Sequence, residues 1–241
     1  MKTDKILIEQ SDDVLTLVLN NPAKLNCMGF DMLNQLNDAV SEASESSKVK
    51  IVIIKGAGDR AFSTGADLKE FGGLNPEEEI RWIEVGNTVF NEIETLEKPT
   101  IAFIDGYAMG GGLELALACD FRVGTHNAVF SSPELQHGWL PGWGGMTRLR
   151  RIFGEAVAKE IVFLCQRIDA EKASRLGLLT CLVENESSDD FLNIIKHLKA
   201  LDSKAFALAK TAIADEHRTT NGVDVKFDVL AMQLVQQANR S

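Results

Sequence analysis

Three consecutive glycines, Gly110 to Gly112, precede an apolar run that contains a single acid, Glu114, in the stretch GYAMGGGLELALACD. The run LELALAC is apolar on every side except at Glu114, which predicts a helix buried all round. A buried glutamate is rare unless it pairs with a cation or takes part in chemistry. Two interpretations of Glu114 therefore stay open: a partner for an Arg or Lys elsewhere in the chain, or a functional carboxylate.

The glycine run does not fit a phosphate-binding loop. No Gly-Lys-Ser/Thr follows it, and the G-x-G-x-x-G spacing is not met. A carboxylate in the first helical turn would also repel a phosphate held there. The run either presents unpaired backbone N–H groups of the helix start to a developing negative charge, such as a carbonyl that becomes an enolate, or it forms a tight strand-to-helix turn.

The loop FSTGADLKEF repeats this arrangement earlier in the chain. It follows a predicted buried strand and leads into a predicted helix, which places the N–H of Ala66 at a similar point. Ligand sites of parallel α/β folds gather at the carboxyl ends of strands, so the two loops can direct donors at one oxygen. The alternative is a simple glycine turn.

A second carboxylate, Glu134, lies in SSPELQHG. Ser132 as N-cap, Pro133 at the first helical position and an acid in the first turn are typical of an ordinary helix start. Taken together with Glu114, however, Glu134 suggests two carboxylates that divide acid and base roles beside an activated carbonyl. Addition of water across a conjugated double bond is chemistry of this kind.

Alternating strands and helices have to position these residues. ILIEQ, VLTLVLN, VKIVIIKG and KPTIAFIDG read as strands, the last two buried on both faces, and FRVGTHNAVFSS as two short strands. Helices are predicted for FDMLNQLNDAVSEASES, from Pro76 to about Glu97, and for most of the chain after residue 143, including one that begins at Asp169 and ends at Gly177. This order predicts an α/β domain with a helical C-terminal portion.

Composition narrows the class of protein. The 241 residues carry a formal net charge of −10, which argues against nucleic acid or an anionic membrane as main partner. The best basic patch, Arg148, Arg150 and Arg151, is expected to be the solvated face of a helix. The four cysteines are far apart, so neither a disulfide framework nor a metal site is expected. Cysteines of this kind predict a reduced, cytoplasmic location. No signal peptide and no apolar stretch of about 20 residues is seen.

The ordered set of motifs resembles the enoyl-CoA hydratase/isomerase (crotonase) superfamily. The matching stretches are NNPAKLN, AFSTGADLKEF, KPTIAFIDGYAMGGGLELALACD, FSSPELQHGWLPGWGGMTRLRR and GEAVAKEIVF with IDAEKASRLGLL. The resemblance implies an α/β, crotonase-like spiral of repeated β-β-α units over residues 1–185. It also implies a helical region over 186–241 through which homotrimers, often paired into hexamers, form.

The resemblance also implies an activity. Family members bind acyl-CoA thioesters, with no cofactor beyond the coenzyme A of the substrate, and hold the thioester oxygen on two backbone N–H groups, here those of Ala66 and Gly111. Hydratases carry both glutamates: Glu114 would help to activate water, and Glu134 would exchange a proton with the α-carbon. The chain is therefore expected to be a lyase of fatty acid metabolism that adds water syn to a trans-2-enoyl-CoA. Isomerase, decarboxylase and non-catalytic acyl-CoA-binding members are the alternatives.

Further substrate contacts follow from the same resemblance. The positions expected to hold CoA or the acyl group are Ala23, Lys24, Leu25, Phe62, Ser63, Thr64, Gly65, Asp67, Leu68, Gly110, Pro133, Trp139 and Gly142. Trp139 and Trp143 either narrow the acyl pocket or pack as buried aromatics. The family's usual final segment, similar to E-G-x-x-A-F-x-E-K-R, is not found before QQANRS, so differences in acyl specificity, CoA affinity or oligomer form are expected.

Overall fold

The structure, a computed structural model, describes residues 4–214. Within them the strands are β1 Ile6–Ser11, β2 Val14–Leu19, β3 Ile51–Gly56, β4 Ala61–Ser63, β5 Thr100–Ile104, β6 Tyr107–Met109, β7 Phe121–Thr125, β8 Val129–Ser131, β9 Ile168–Asp169 and β10 Cys181–Val183. The α-helices are α1 Phe30–Glu45, α2 Leu68–Phe71, α3 Pro76–Thr95, α4 Gly111–Ala118, α5 Gly145–Leu164, α6 Ala170–Arg175, α7 Asp189–Lys199 and α8 Ser203–Ala214. Two short 3-10 helices cover Pro22–Lys24 and Glu134–His137.

A unit of two strands and a helix repeats along the chain. β3, β5 and β7 are neighbours in a six-stranded sheet of order β1-β2-β3-β5-β7-β10, and β4, β6 and β8 are neighbours in a four-stranded sheet of order β4-β6-β8-β9. Each unit adds one parallel strand to each sheet before α3, α4 or α5 begins. This arrangement is the α/β spiral of β-β-α units that the resemblance predicted.

Two apolar clusters hold the layers together. Val52 and Ile54 of β3 face the larger one, which also contains the buried faces of α1, α3 and α4. Ile51 and Ile53 face the smaller one, which includes Phe191 of α7. Because β3 is buried on both faces, its sequence is apolar without alternation, as predicted.

Most predicted elements are confirmed. The helices at 30–45 and 76–95 and the two short strands β7 and β8 lie where expected, and Asp169 caps α6 by accepting from the backbone N–H of Lys172 at 2.7 Å. The prediction missed β4, β6, β9 and β10, because strands of two or three residues are too short to show alternation. The boundary at residue 185 remains a prediction, and the expected helix over 223–237 lies outside the described residues. None of the helices within residues 4–214 combines the length and the apolar character that crossing a bilayer requires.

Candidate active site

Three loops that carry the predicted site residues leave the same edge of the four-stranded sheet. β4, β6 and β8 pair in parallel, so their carboxyl ends lie side by side. The segment 64–67 follows β4, Gly110 follows β6, and the segment 132–134 follows β8. The fold thus brings together the glycine loops and both carboxylates, which are up to 70 residues apart in the chain (134 − 64 = 70).

The two predicted backbone donors lie in adjacent loops. The N–H of Met28 donates to the carbonyl of Gly65 at 2.7 Å, and the N–H of Asp67 donates to that of Met28 at 2.9 Å. In such a parallel bridge the intervening residue, Ala66, turns its own N–H to the opposite side. Gly111 opens α4, where the first N–H groups lack intrahelical acceptors. Within residues 4–214, neither N–H donates to another group.

The glycines allow this close approach. Gly110 has φ +53° and ψ −127°, a conformation that costs glycine little and other residues much. A methyl group at Gly65 would lie 2.6 Å from the nitrogen of Gly111, and one at Gly111 would lie 2.5 Å from Cζ3 of Trp143. The two interpretations of the glycine run are therefore compatible: the run packs tightly, and it also leaves an unused donor at Gly111.

Glu114 is held by backbone N–H groups. Its side chain is 4% exposed, and its Oε1 accepts from the N–H of Trp143 at 2.9 Å and from that of Gly145 at 2.7 Å. No cation among the described residues forms an ion pair with it. The prediction of a functional carboxylate keeps its support, because the arginine or lysine partner of the alternative interpretation is not found within residues 4–214.

The surroundings of Glu114 favour its neutral form. Burial, with a smaller contribution from the negative charge of Glu134, raises the pKa of the carboxyl to about 7, although the N–H groups of Gly145 and Trp143 and the guanidinium of Arg148 lower it. A carboxyl with a pKa near neutrality exchanges protons readily in either direction. This property suits a general base.

Arg148 fixes the turn that holds Glu114. Its Nη1 donates to the carbonyl of Trp143 at 2.8 Å, its Nε to Glu94 at 2.8 Å, and its Nη2 to Asn91 at 2.7 Å. The prediction of a solvated helix face was wrong for Arg148, which is buried, and right for Arg150, which is exposed. This role could not be predicted from the sequence, because the groups that Arg148 joins are distant in the chain.

Glu134 is held by a hydroxyl. It begins a 3-10 helix whose N-cap is Pro133, so the predicted capping role of Ser132 was wrong. Instead, Oγ of Ser132 donates to Oε2 of Glu134 at 2.7 Å. Oε1 of Glu134 is buried and has no hydrogen-bond partner among the described residues. It faces Gly110, where a methyl group would lie 3.1 Å from it.

The segments expected to hold CoA also meet. The carbonyl of Leu25 accepts from the N–H of Thr64 at 3.1 Å, and Nζ of Lys24 lies 2.6 Å from Oδ2 of Asp67, whose Oδ1 caps α2. The resemblance put CoA contacts on Phe62 and Ser63, but both side chains are wholly buried. Their side chains pack beneath the segment 64–67 and away from solvent. Any contact of these two residues with a ligand therefore has to come from their backbone atoms.

The tryptophans after Glu134 differ in role. Trp143 is buried, stacks on Trp82 with 5.9 Å between ring centroids, and meets Phe90 edge-on at 5.5 Å. Trp139 is 39% exposed and lies edge-on against Phe71 at 5.3 Å. Buried packing therefore describes Trp143, whereas the expected contact of Trp139 with the acyl group stays a prediction.

The remaining predicted positions lie near these groups. Pro133 is half-buried between Ser132 and Glu134, Ala23 and Leu68 are exposed, and Gly142 is exposed with its carbonyl accepting from Nδ2 of Asn87 at 2.7 Å.

Replacement of Glu114 by Gln is expected to change how stability depends on pH. Because the pKa of Glu114 is raised from 4.5 to about 7, the folded chain binds a proton that the unfolded chain releases between these pH values. The free energy of unfolding of the wild type therefore falls as pH rises through this range. The free energy of unfolding of the Gln variant should not show this fall. Urea unfolding at pH 5 and pH 8 should show the variant gaining roughly 2–3 kcal/mol relative to the wild type at the higher pH. An equal difference at both pH values would contradict the burial of an ionisable carboxyl.

Comparison with known proteins agrees with this geometry. The sequence model of the family described as enoyl-CoA hydratase/isomerase matches residues 9–239. The short-chain-enoyl-CoA hydratase of Clostridium acetobutylicum is 36% identical, over 88% of this chain and 82% of that protein. The crotonyl-CoA hydratase of Syntrophomonas wolfei is 38% identical, over 77% of this chain and 72% of that protein.

A solved structure shares the fold. The crystal structure of an enoyl-CoA hydratase from Bacillus anthracis superposes with a TM-score of 0.86 at 32% identity, covering 98% of this chain and 90% of that one. The chain belongs to the enoyl-CoA hydratase/isomerase family of the crotonase superfamily.

Proposed function

We propose that the protein is an enoyl-CoA hydratase, which adds water to a trans-2-enoyl-CoA and gives a 3-hydroxyacyl-CoA. One observation carries the proposal. Two carboxylates, Glu114 and Glu134, each have one oxygen held by hydrogen bonds from the protein. Glu114 lies in the first turn of the helix that the donor Gly111 opens, and Oε1 of Glu134 faces the preceding Gly110. Hydration needs these two features together.

The thioester oxygen is the group that the donors fit. As the N–H groups of Ala66 and Gly111 bind it, they stabilise the negative charge that develops there when a nucleophile adds to the conjugated double bond. A preorganised donor of this kind is worth about 3–4 kcal/mol in the transition state. Glycine at position 111 leaves Trp143 in contact beneath the donor, which fixes the position of the N–H.

The carboxylates then divide the protons of one water molecule. Glu114 accepts a proton from the water as its oxygen bonds to C3, and the π electrons move to the thioester oxygen as an enolate. Glu134 delivers a proton to C2, and the enolate collapses to the thioester. The proton left on Glu114 passes to Glu134 through the next water, so the enzyme returns to its starting state. The atoms of one water are thus added and no cofactor is consumed.

Crotonyl-CoA is the first substrate to test, because relatives are named as short-chain and crotonyl-CoA hydratases. We expect loss of the absorbance of the conjugated thioester and a product heavier by one water. Isomerisation leaves the mass unchanged and decarboxylation removes carbon dioxide, so product mass also distinguishes these alternatives. No turnover of any of a series of enoyl-CoA chain lengths by folded protein would overturn the proposal and leave the acyl-CoA-binding alternative.

The finer features of this function are part of the proposal. We infer a homotrimer or a dimer of trimers formed through the region 186–241, an acyl-CoA held by the segments 23–25 and 62–68, and a cytoplasmic role in fatty acid metabolism. The contact of Leu25 with Thr64 supports the second of these. Light scattering measures the oligomer directly, and isothermal titration with CoA measures the binding.

A further inference from the structure

We infer that Ser132 is a positioning residue that selects which oxygen of Glu134 meets the substrate, an inference that rests on the proposed hydration. The hydroxyl of Ser132 is the hydrogen-bond partner of Glu134 among the described residues, at 2.7 Å from Oε2. The serine is 3% exposed, so water does not replace its hydroxyl easily. The hydrogen bond therefore holds the carboxylate plane in one orientation.

The orientation leaves Oε1 as the working oxygen. Oε1 is buried without a partner and faces Gly110, the residue before the donor Gly111. A buried acceptor without a partner is costly, and native structures keep one where a ligand or a reaction uses it. Binding of substrate and water supplies the missing partner. Without Ser132, either oxygen can occupy the inner position, and rotation about the last side-chain bond is no longer restricted.

The neighbouring residue provides a matched comparison. Ser131 has the same side chain and the same 3% exposure, but its hydroxyl donates to the carbonyl of Cys165 at 3.3 Å. Removal of either hydroxyl costs one hydrogen bond made by a buried serine. Only that of Ser132 reaches a carboxylate of the candidate site, so the pair separates a general packing effect from positioning of Glu134.

Steady-state kinetics with crotonyl-CoA test the inference. We expect Ser132→Ala to lower kcat about 10- to 100-fold, the range of a hydrogen bond to a charged group, with KM changed less than about threefold, since binding of the thioester is untouched. Ser132→Thr, which keeps the hydroxyl, should recover most of kcat. Ser131→Ala should remain near the wild type. In the Glu134→Gln background, Ser132→Ala should have no further effect.

Several outcomes would overturn the inference. They are an unchanged kcat in Ser132→Ala, an equal loss in Ser131→Ala, a full additional loss in the Glu134→Gln background, or a loss of the cooperative thermal transition together with activity. Absence of turnover in the wild type is a different result, because it removes the proposed function itself. An active wild type with an unaffected Ser132→Ala removes only the role of Ser132.

Discussion

Glu114→Gln should lower kcat for hydration of crotonyl-CoA by at least about 100-fold, the scale of general acid–base catalysis, while the protein still binds the thioester. The reason lies in what the amide retains and what it loses. Its carbonyl oxygen can still accept from the N–H groups of Trp143 and Gly145, which Oε1 of Glu114 now does. The amide cannot take a proton from water. The change therefore removes the base and leaves the turn that surrounds it.

The pH profile adds a second readout for the same variant. Burial raises the pKa of Glu114 to about 7, and the ionised form is the base, so kcat of the wild type should rise with pH through neutrality. This rise of kcat with pH should be absent in Glu114→Gln. A matched control is Asp120→Asn, at the far end of α4, where the carboxylate accepts from Thr100 and Lys210. A fall in kcat of similar size in Asp120→Asn, or less than about tenfold in Glu114→Gln, would show that Glu114 is structural.

The sequence was sufficient to predict the positions of both carboxylates and both glycine loops. Local signals made this possible. Glu114 is the one acid in a helix that is otherwise apolar and, in the structure, wholly buried. The loops at Ala66 and Gly111 follow strands and precede helices, and parallel strands place such loops at a common edge. The spiral fold was predicted from the order of the motifs, because no single strand or helix specifies it.

The groups that tie the carboxylates could not be predicted. Glu114 is held by backbone N–H groups 29 and 31 residues further along, and a backbone donor carries no signal in the sequence. Arg148 meets Asn91 and Glu94 across more than 50 residues. Ser132 was expected to cap a helix, because Ser-Pro-Glu is typical of helix starts. In a 3-10 turn its hydroxyl meets the side chain of Glu134 instead.

These ties give the two carboxylates different surroundings. Glu114 lies in an apolar helix and depends on backbone dipoles, whereas Glu134 is half-buried in a surface turn and depends on a single hydroxyl. Different surroundings are the means by which two acids of one type take separate roles. The proposed mechanism assigns the base to the buried helix and the proton donor to the turn.

Glu134→Gln should also lower kcat by at least about 100-fold, but through a different step. The amide can keep the hydrogen bond from Ser132. It can neither donate a proton to C2 nor remove one from it. Exchange of the C2 protons of a saturated thioester, butyryl-CoA, with deuterium in D₂O isolates this step, because no water is added. We expect Glu134→Gln to lose the exchange seen in the wild type.

Glu114→Gln is the matched control for this exchange. Oε1 of Glu134 faces Gly110 beside the donor Gly111, so proton transfer at C2 needs Glu134 and the donors but not the base that activates water. Glu114→Gln should therefore exchange the C2 protons within about tenfold of the wild-type rate although it hydrates crotonyl-CoA poorly. Proton NMR of the recovered thioester measures both variants. The reverse pattern, with exchange lost in Glu114→Gln and kept in Glu134→Gln, would interchange the two roles, because the carboxylate that serves C2 is the one whose loss stops exchange.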